Sequence, residues 1–108
     1  MKKILIIGAG AMGSAFTIPC VDNKNEVTLV GTHLENEIIA SIKKNKKFHP
    51  TLKINLPSKL NIERFENLKS VIDNGIDIIV AGISSVGIKW FAEEISKYYK
   101  KNLPIVLL

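Results

Sequence analysis

Residues Met1–Gly13 read MKKILIIGAGAMG, and the reading of this stretch decides the fold. Ile4, Leu5, Ile6 and Ile7 form an unbroken apolar run, the pattern of a strand buried on both faces. The run stops at Gly8, and Gly8, Gly10 and Gly13 then fall in the spacing G-x-G-x-x-G. After a strand and before a helix, that spacing predicts a turn that binds a dinucleotide. Gly8 permits the tight turn, Gly10 lets the backbone approach a pyrophosphate, and Gly13 lets the helix lie close to the strand. Backbone N–H groups of the first helical turn, aided by the helix dipole, would face the phosphates.

Working outward, Ser14 to Asn23 is the expected first helix, with Pro19 bending or shortening it. Asp22 to Asn25 has turn chemistry. EVTLV at Glu26 to Val30 is rich in β-branched residues and predicts a second strand. Leu34 to Lys47 places Leu34, Ile38, Ile39 and Ile42 at helical spacing, with Glu35 and Glu37 early and lysines late, as the helix dipole favours. Pro50 and Pro57 bracket an irregular connection. LNIERF at Leu60 to Phe65 alternates as a short strand does, and Glu66 to Asn74 is a short helix stopped by Gly75. IDIIVA at Ile76 to Ala81 is the next buried strand. Ser84 or Ser85 can cap the helix that runs on to about Tyr99, with Ile88, Phe91, Ala92 and Ile95 on one face. Leu103 to Leu108 reads as another buried parallel strand.

Strands alternating with helices imply an α/β fold, a Rossmann-type doubly wound parallel sheet with right-handed crossovers. Ligands in such sheets bind beyond the carboxyl ends of the strands. Three loops qualify: Gly8 to Gly13, Gly31 to His33, and Gly82 to Ser85.

The chain has 108 residues and 46% hydrophobic composition, enough for one domain with a core. A dehydrogenase of this type usually adds a substrate domain, and the sequence ends inside its last predicted strand. We therefore expect residues 1–108 to be a partial dinucleotide-binding domain, truncated in that strand and lacking its C-terminal substrate domain. The net charge is +5, carried by lysines that cluster at residues 43–47 and 97–101, where helices should end. No recognition motif or interleaved aromatics support nucleic-acid binding. No run approaches the length of a membrane span, and the N-terminus is not a signal peptide. Cys20 is the sole cysteine, which fits a reducing, cytoplasmic setting and a structural thiol. His33 and His49 lack the acidic or cysteine companions of a metal site, so no metal is expected.

GAGAMGSA, EVTLVGTHLE, HPTLKINLPSKLNI and DIIVAGISS together resemble the N-terminal domain of NAD(P)-dependent glycerol-3-phosphate dehydrogenase, over nearly the whole chain. The sequence is similar to a divergent branch in which the first helix carries a proline. The resemblance implies reduction of dihydroxyacetone phosphate to sn-glycerol 3-phosphate for glycerolipid synthesis. The implied partners are NADP or NAD and a small phosphorylated substrate. A homodimer is one assembly open to the full-length protein. Cofactor contacts implied within the fingerprint are Gly8, Ala9, Gly10, Ala11, Met12 and Gly13. Thr32 and His33 follow the second strand, Phe48 stands where the family often has tyrosine, and Ile83, Ser84 and Ser85 replace a Val-Pro-Ser loop. Ala11 and Met12 depart from the usual serine and aromatic residue, and Thr32 from the usual arginine. The family's catalytic lysines would lie beyond Leu108, so no catalytic residue is assigned. Two other readings stand beside this one: a two-domain reductase of the ketopantoate type, which shares G-x-G-A-M-G, and a non-catalytic NAD(P)-sensing module.

One expectation concerns cofactor choice. NAD-selective sheets carry a carboxylate at the end of the second strand, about 20 residues past the glycine turn. Gly31 occupies that place, so NADP(H) should be accepted and modestly preferred, with Thr32 and His33 contacting the extra phosphate.

Overall fold

A computed structural model describes residues 1–98 and 102–108. Five parallel strands form one sheet in the order β5-β2-β1-β6-β7: β1 (Lys3–Ile7), β2 (Glu26–Val30), β5 (Asn61–Glu63), β6 (Ile78–Ala81) and β7 (Ile105–Leu107). The chain winds outward from β1 in one direction through β2 and β5, then returns to β6 and β7 on the other side. This is the doubly wound, Rossmann-like arrangement, and the winding reverses between β1 and β6.

The unbroken apolar run of β1 follows from its central position. Ile4 and Ile6 pack on one face with Val27, Leu29, Ile39, Ile42 and Cys20. Leu5 and Ile7 pack on the other with Leu68, Ile72, Phe91 and Ile95. Helices α1 (Ala11–Asp22) and α2 (Asn36–Lys44) supply the first face, α3 (Leu68–Asp73) and α4 (Ile88–Ser96) the second.

Several elements differ from expectation for physical reasons. Helix α1 begins at Ala11 rather than Ser14 and runs through Pro19 to Asp22. Pro19 sits in the last turn, where its carbonyl accepts the Asn23 backbone N–H at 3.1 Å and the Asn23 side-chain amide at 2.7 Å. The buried face of α1 is small and polar, comprising Gly13, Ser14, Thr17 and Cys20. Thr17 Oγ1 donates to the Ser14 carbonyl, and Ser14 Oγ to the Ala9 carbonyl, so both hydroxyls are satisfied.

Helix α2 is shorter than expected, and residues 50–57 are not merely irregular. Strands β3 (Phe48–His49) and β4 (Ile54–Asn55) form a small antiparallel hairpin outside the main sheet. It carries no glycine or asparagine turn signal. Lys46, Lys47 and Lys53 instead occupy the left-handed region at φ 56°, 64° and 57°. The Lys47 ammonium is tied to the Ser58 and Leu60 carbonyls, holding the end of the connection against its start.

In α4, Phe91 and Ile95 are buried as expected, whereas Ala92 is exposed; Tyr99 lies outside the described residues. Strand β7 pairs with β6 in the expected parallel sense, but it is a sheet edge and not a buried strand, with Val106 and Leu107 exposed. No helix among the described residues is long and apolar enough to cross a membrane.

Candidate functional site

The carboxyl ends of β1, β2 and β6 meet at the reversal point. The Gly8 N–H donates to the Val30 carbonyl at 2.8 Å, and the Gly82 N–H to the Ile7 carbonyl at 2.9 Å, carrying the sheet pairing into both loops. Gly8 has φ +114°, and a Cβ there would lie 2.3 Å from the Gly82 carbonyl oxygen. A Cβ on Gly13 would lie 2.2 Å from the Gly8 oxygen, and one on Gly82 would lie 2.6 Å from Gly13 Cα. These three backbones interlock without side chains between them. Gly10 is different: a Cβ there would meet nothing within 4 Å. Its space opens on a cavity of about 420 Å³.

Three segments line that cavity. Gly8 and Gly10 form its floor, Thr32 to Glu35 one wall, and Gly82 to Ser84 with Val86, Gly87 and Trp90 the other. The structure thus brings together six of the residues singled out from sequence: Gly8, Gly10, Thr32, His33, Ile83 and Ser84. Ala11 and Met12 open α1 and are exposed, Met12 at 59%. The first N–H of α1 paired to a helix carbonyl is that of Ser14, to Gly10 at 3.0 Å. The first-turn N–H groups of Ala11, Met12 and Gly13 therefore lack intrahelical acceptors. Ala9 is fully buried, Ser85 starts a 3-10 turn (Ser85–Gly87), and Phe48 lies on β3; none of the three lines the cavity. Ser84 precedes that turn without making a side-chain cap bond.

Glu35 was not legible as a site residue. It precedes α2, but its carboxylate turns back to the glycine turn, where Oε1 accepts the Ala9 N–H at 2.9 Å and the Thr32 N–H at 2.8 Å. Gly31 has a packing reason, since a Cβ there would lie 2.6 Å from Ile39 Cγ1. The same glycine leaves the end of β2 without a carboxylate. Thr32 Oγ1 accepts the Leu34 N–H at 3.3 Å, leaving its own proton free to be donated. Trp90 and His33, both lining the cavity, lie with ring centroids 4.6 Å apart and planes tilted by 33°, and Phe65 lies 5.5 Å from Trp90. Neither Glu35 nor Trp90 carried a site signal in the sequence, where Glu35 reads as an early helix acid.

Among the described residues the cavity lining holds no lysine or arginine; its titratable groups there are Glu35 and His33. An anion here would be met by backbone N–H groups and a helix dipole rather than by fixed cations. The described residues contain no group of three or more potential metal ligands. Cys20 is buried on the sheet-facing side of α1, and burial pushes its thiol up, away from nucleophilic use.

With this geometry established, comparison with known proteins is decisive. The family described as NAD-dependent glycerol-3-phosphate dehydrogenase N-terminus matches residues 3–108. The chain belongs to this family. A family relative, the NADP(+)-dependent glycerol-3-phosphate dehydrogenase of Archaeoglobus fulgidus, is 36% identical over 107 residues, covering 96% of this chain and 30% of that protein. The glycerol-3-phosphate dehydrogenase [NAD(P)+] of Mesoplasma florum is 32% identical, covering 97% of this chain and 30% of its own. The chain thus spans about three tenths of the length of these curated relatives. Among solved structures, glycerol-3-phosphate dehydrogenase from Coxiella burnetii superposes with a TM-score of 0.84 at 16% identity, over 98% of this chain and 31% of that one. That likeness speaks for the fold. A putative 2-dehydropantoate 2-reductase from Enterococcus faecalis superposes at 0.66 with 26% identity, over 98% of this chain and 33% of that one.

Proposed function

We propose that this chain is the dinucleotide-binding part of a glycerol-3-phosphate dehydrogenase that uses NADP(H) or NAD(H) to interconvert dihydroxyacetone phosphate and sn-glycerol 3-phosphate. The observation that carries the reading is the open space at Gly10, the one fingerprint glycine whose missing Cβ faces no protein atom within 4 Å. The other two glycines are explained by packing alone; at Gly10 the open space leaves room for a ligand to lie against the backbone. Family membership and relatives named for this activity choose the dehydrogenase over the reductase reading.

In this reading the bound nicotinamide supplies the hydride acceptor and donor. The N–H groups of Gly10, Ala11 and Met12 hold the pyrophosphate, while Gly8, Ala9 and Gly13 shape the turn. Thr32 and His33 take the ribose and any 2′-phosphate; Ile83, Ser84 and Ser85 border the nicotinamide ribose, and Phe48, exposed on β3 outside the cavity, keeps a cofactor role only through the family resemblance. In this reading the work of these 108 residues is binding and orientation of the dinucleotide. A reducing, cytoplasmic setting fits this reading, the sole cysteine of the sequence being a buried free thiol.

Calorimetric titration of the protein with NADH and NADPH tests the binding reading, and NAD(P)H oxidation with dihydroxyacetone phosphate by the full-length enzyme tests the reaction. Dinucleotide binding with dissociation constants below about 1 mM is expected. No heat for either dinucleotide overturns the binding reading; binding without turnover of dihydroxyacetone phosphate overturns the substrate.

A further inference from the structure

His49 is fully buried, and its ring spans two parts of the chain that sequence does not connect. Nδ1 accepts the N–H groups of Thr51 and Leu52, each at 3.2 Å. That nitrogen carries no proton, so a neutral ring is protonated at Nε2. Nε2 lies 2.8 Å from the Ala9 carbonyl and donates to it. The same carbonyl accepts Ser14 Oγ at 3.0 Å, while the Ala9 N–H is held by Glu35. Both peptide planes flanking Ala9 are therefore pinned from outside the turn.

The plane between Ala9 and Gly10 matters most. In a trans peptide the carbonyl and the N–H point in opposite directions, and none of the described peptides is cis. Fixing the Ala9 oxygen toward His49 therefore fixes the Gly10 N–H away from it. Gly10 cannot enforce this itself. It has no Cβ, and the space around it is empty, so local sterics leave its preceding peptide free to rotate. The constraint must come from elsewhere: Ser14 Oγ supplies part of it from α1, and the hairpin β3–β4 supplies the shorter contact through His49.

We propose that His49 is a positioning residue for dinucleotide binding, and that the hairpin exists to deliver its Nε2–H to the glycine turn. This rests on the reading that the turn binds a dinucleotide. His49→Leu removes the donor and should weaken NADH and NADPH binding by about tenfold or more. His49→Gln, whose amide can donate to the same carbonyl, should return affinity to within about threefold of the parent.

The experiment is calorimetric titration of the full chain and both variants beside Ile72→Ala, a core truncation on the opposite face of the sheet. Urea unfolding of all four proteins separates stability from binding. Expected is a loss of affinity in His49→Leu, recovery in His49→Gln, and affinity within about twofold in Ile72→Ala despite its lower stability. Should His49→Leu fail to fold, His49→Gln and the ring 15N spectrum of the parent still decide. The spectrum should show Nε2 protonated and Nδ1 bare. An Nδ1–H tautomer, unchanged affinity in His49→Leu, or an equal loss in Ile72→Ala overturns the proposal. Absence of dinucleotide binding by the parent protein would instead remove the reading beneath it.

Discussion

The two walls flanking Gly10 are built differently. On the side of the glycine turn, Gly8, Gly13 and Gly82 meet backbone to backbone, and Ala9 is held by Glu35, His49 and Ser14. On the far side, Ser84 to Val86 is exposed, Val86 at 92%, and Ser84 makes no side-chain cap bond. The difference teaches how a binding crevice can be both pre-organised and adaptable. In the proposed reading the part that meets the pyrophosphate is clamped, and the part that borders the nicotinamide ribose is exposed beyond Ile83, which packs on the core.

The harshest way to break the clamped wall is Gly13→Val. Its side chain would be forced into the Gly8 carbonyl, 2.2 Å from the built Cβ. Loss of about 3 kcal/mol or more in chemical unfolding is expected, with binding lost because the fold is lost. Gly10→Val is the complementary case. The added side chain meets only open space, so the unfolding midpoint should hold while dinucleotide affinity falls by about a hundredfold, roughly 2.8 kcal/mol, on titration. A destabilised Gly10→Val that still binds would invert the roles assigned to the two glycines.

Cofactor choice gives a smaller effect. Gly31→Asp would confound selectivity with the clash against Ile39, so His33 is the better lever. We expect NADPH to be accepted through Thr32 and His33, and His33→Asp to move the NADPH-to-NADH affinity ratio toward NADH by about tenfold, near 1.4 kcal/mol. An unmoved ratio would detach the Thr32–His33 wall from the 2′-phosphate. The smallest effect belongs to Ser84→Ala. A true helix cap costs about 1 kcal/mol to remove, whereas this hydroxyl makes no cap bond, so a change within about 0.5 kcal/mol in unfolding is expected.

The same contrast explains what could be read in advance. Strands β1 and β6 were legible because both faces are buried, which leaves an apolar run no loop would carry, and β2 because its valines and threonine favour a strand. The three loops of the site followed, because in a parallel sheet the carboxyl ends share one edge. Helix α1 hid its start because it packs through Gly13, Ser14 and Thr17, which carry no apolar period. The hairpin was illegible because lysines hold its left-handed positions, where glycine or asparagine would have marked a turn. Glu35 was counted as a helix-dipole acid. Only the folded chain shows its carboxylate reaching 26 residues back to Ala9. The burial expected of β7 failed because a parallel partner on one side does not make a strand central.

The central place of β1 also sets a schedule for synthesis. Ile4 pairs with Val27 on one side and Ile78 on the other. About 50 residues separate those partners, and at roughly 5–20 residues per second that gap lasts roughly 3–10 s on the ribosome. Through that interval β1 can join β2 but keeps its second edge of N–H and C=O groups unpaired, along the apolar run Ile4–Ile7. An open apolar edge is a template for pairing with other chains. The strand made first is completed late, so nascent-chain aggregation should peak in products ending before Ile78 and fall once β6 has emerged.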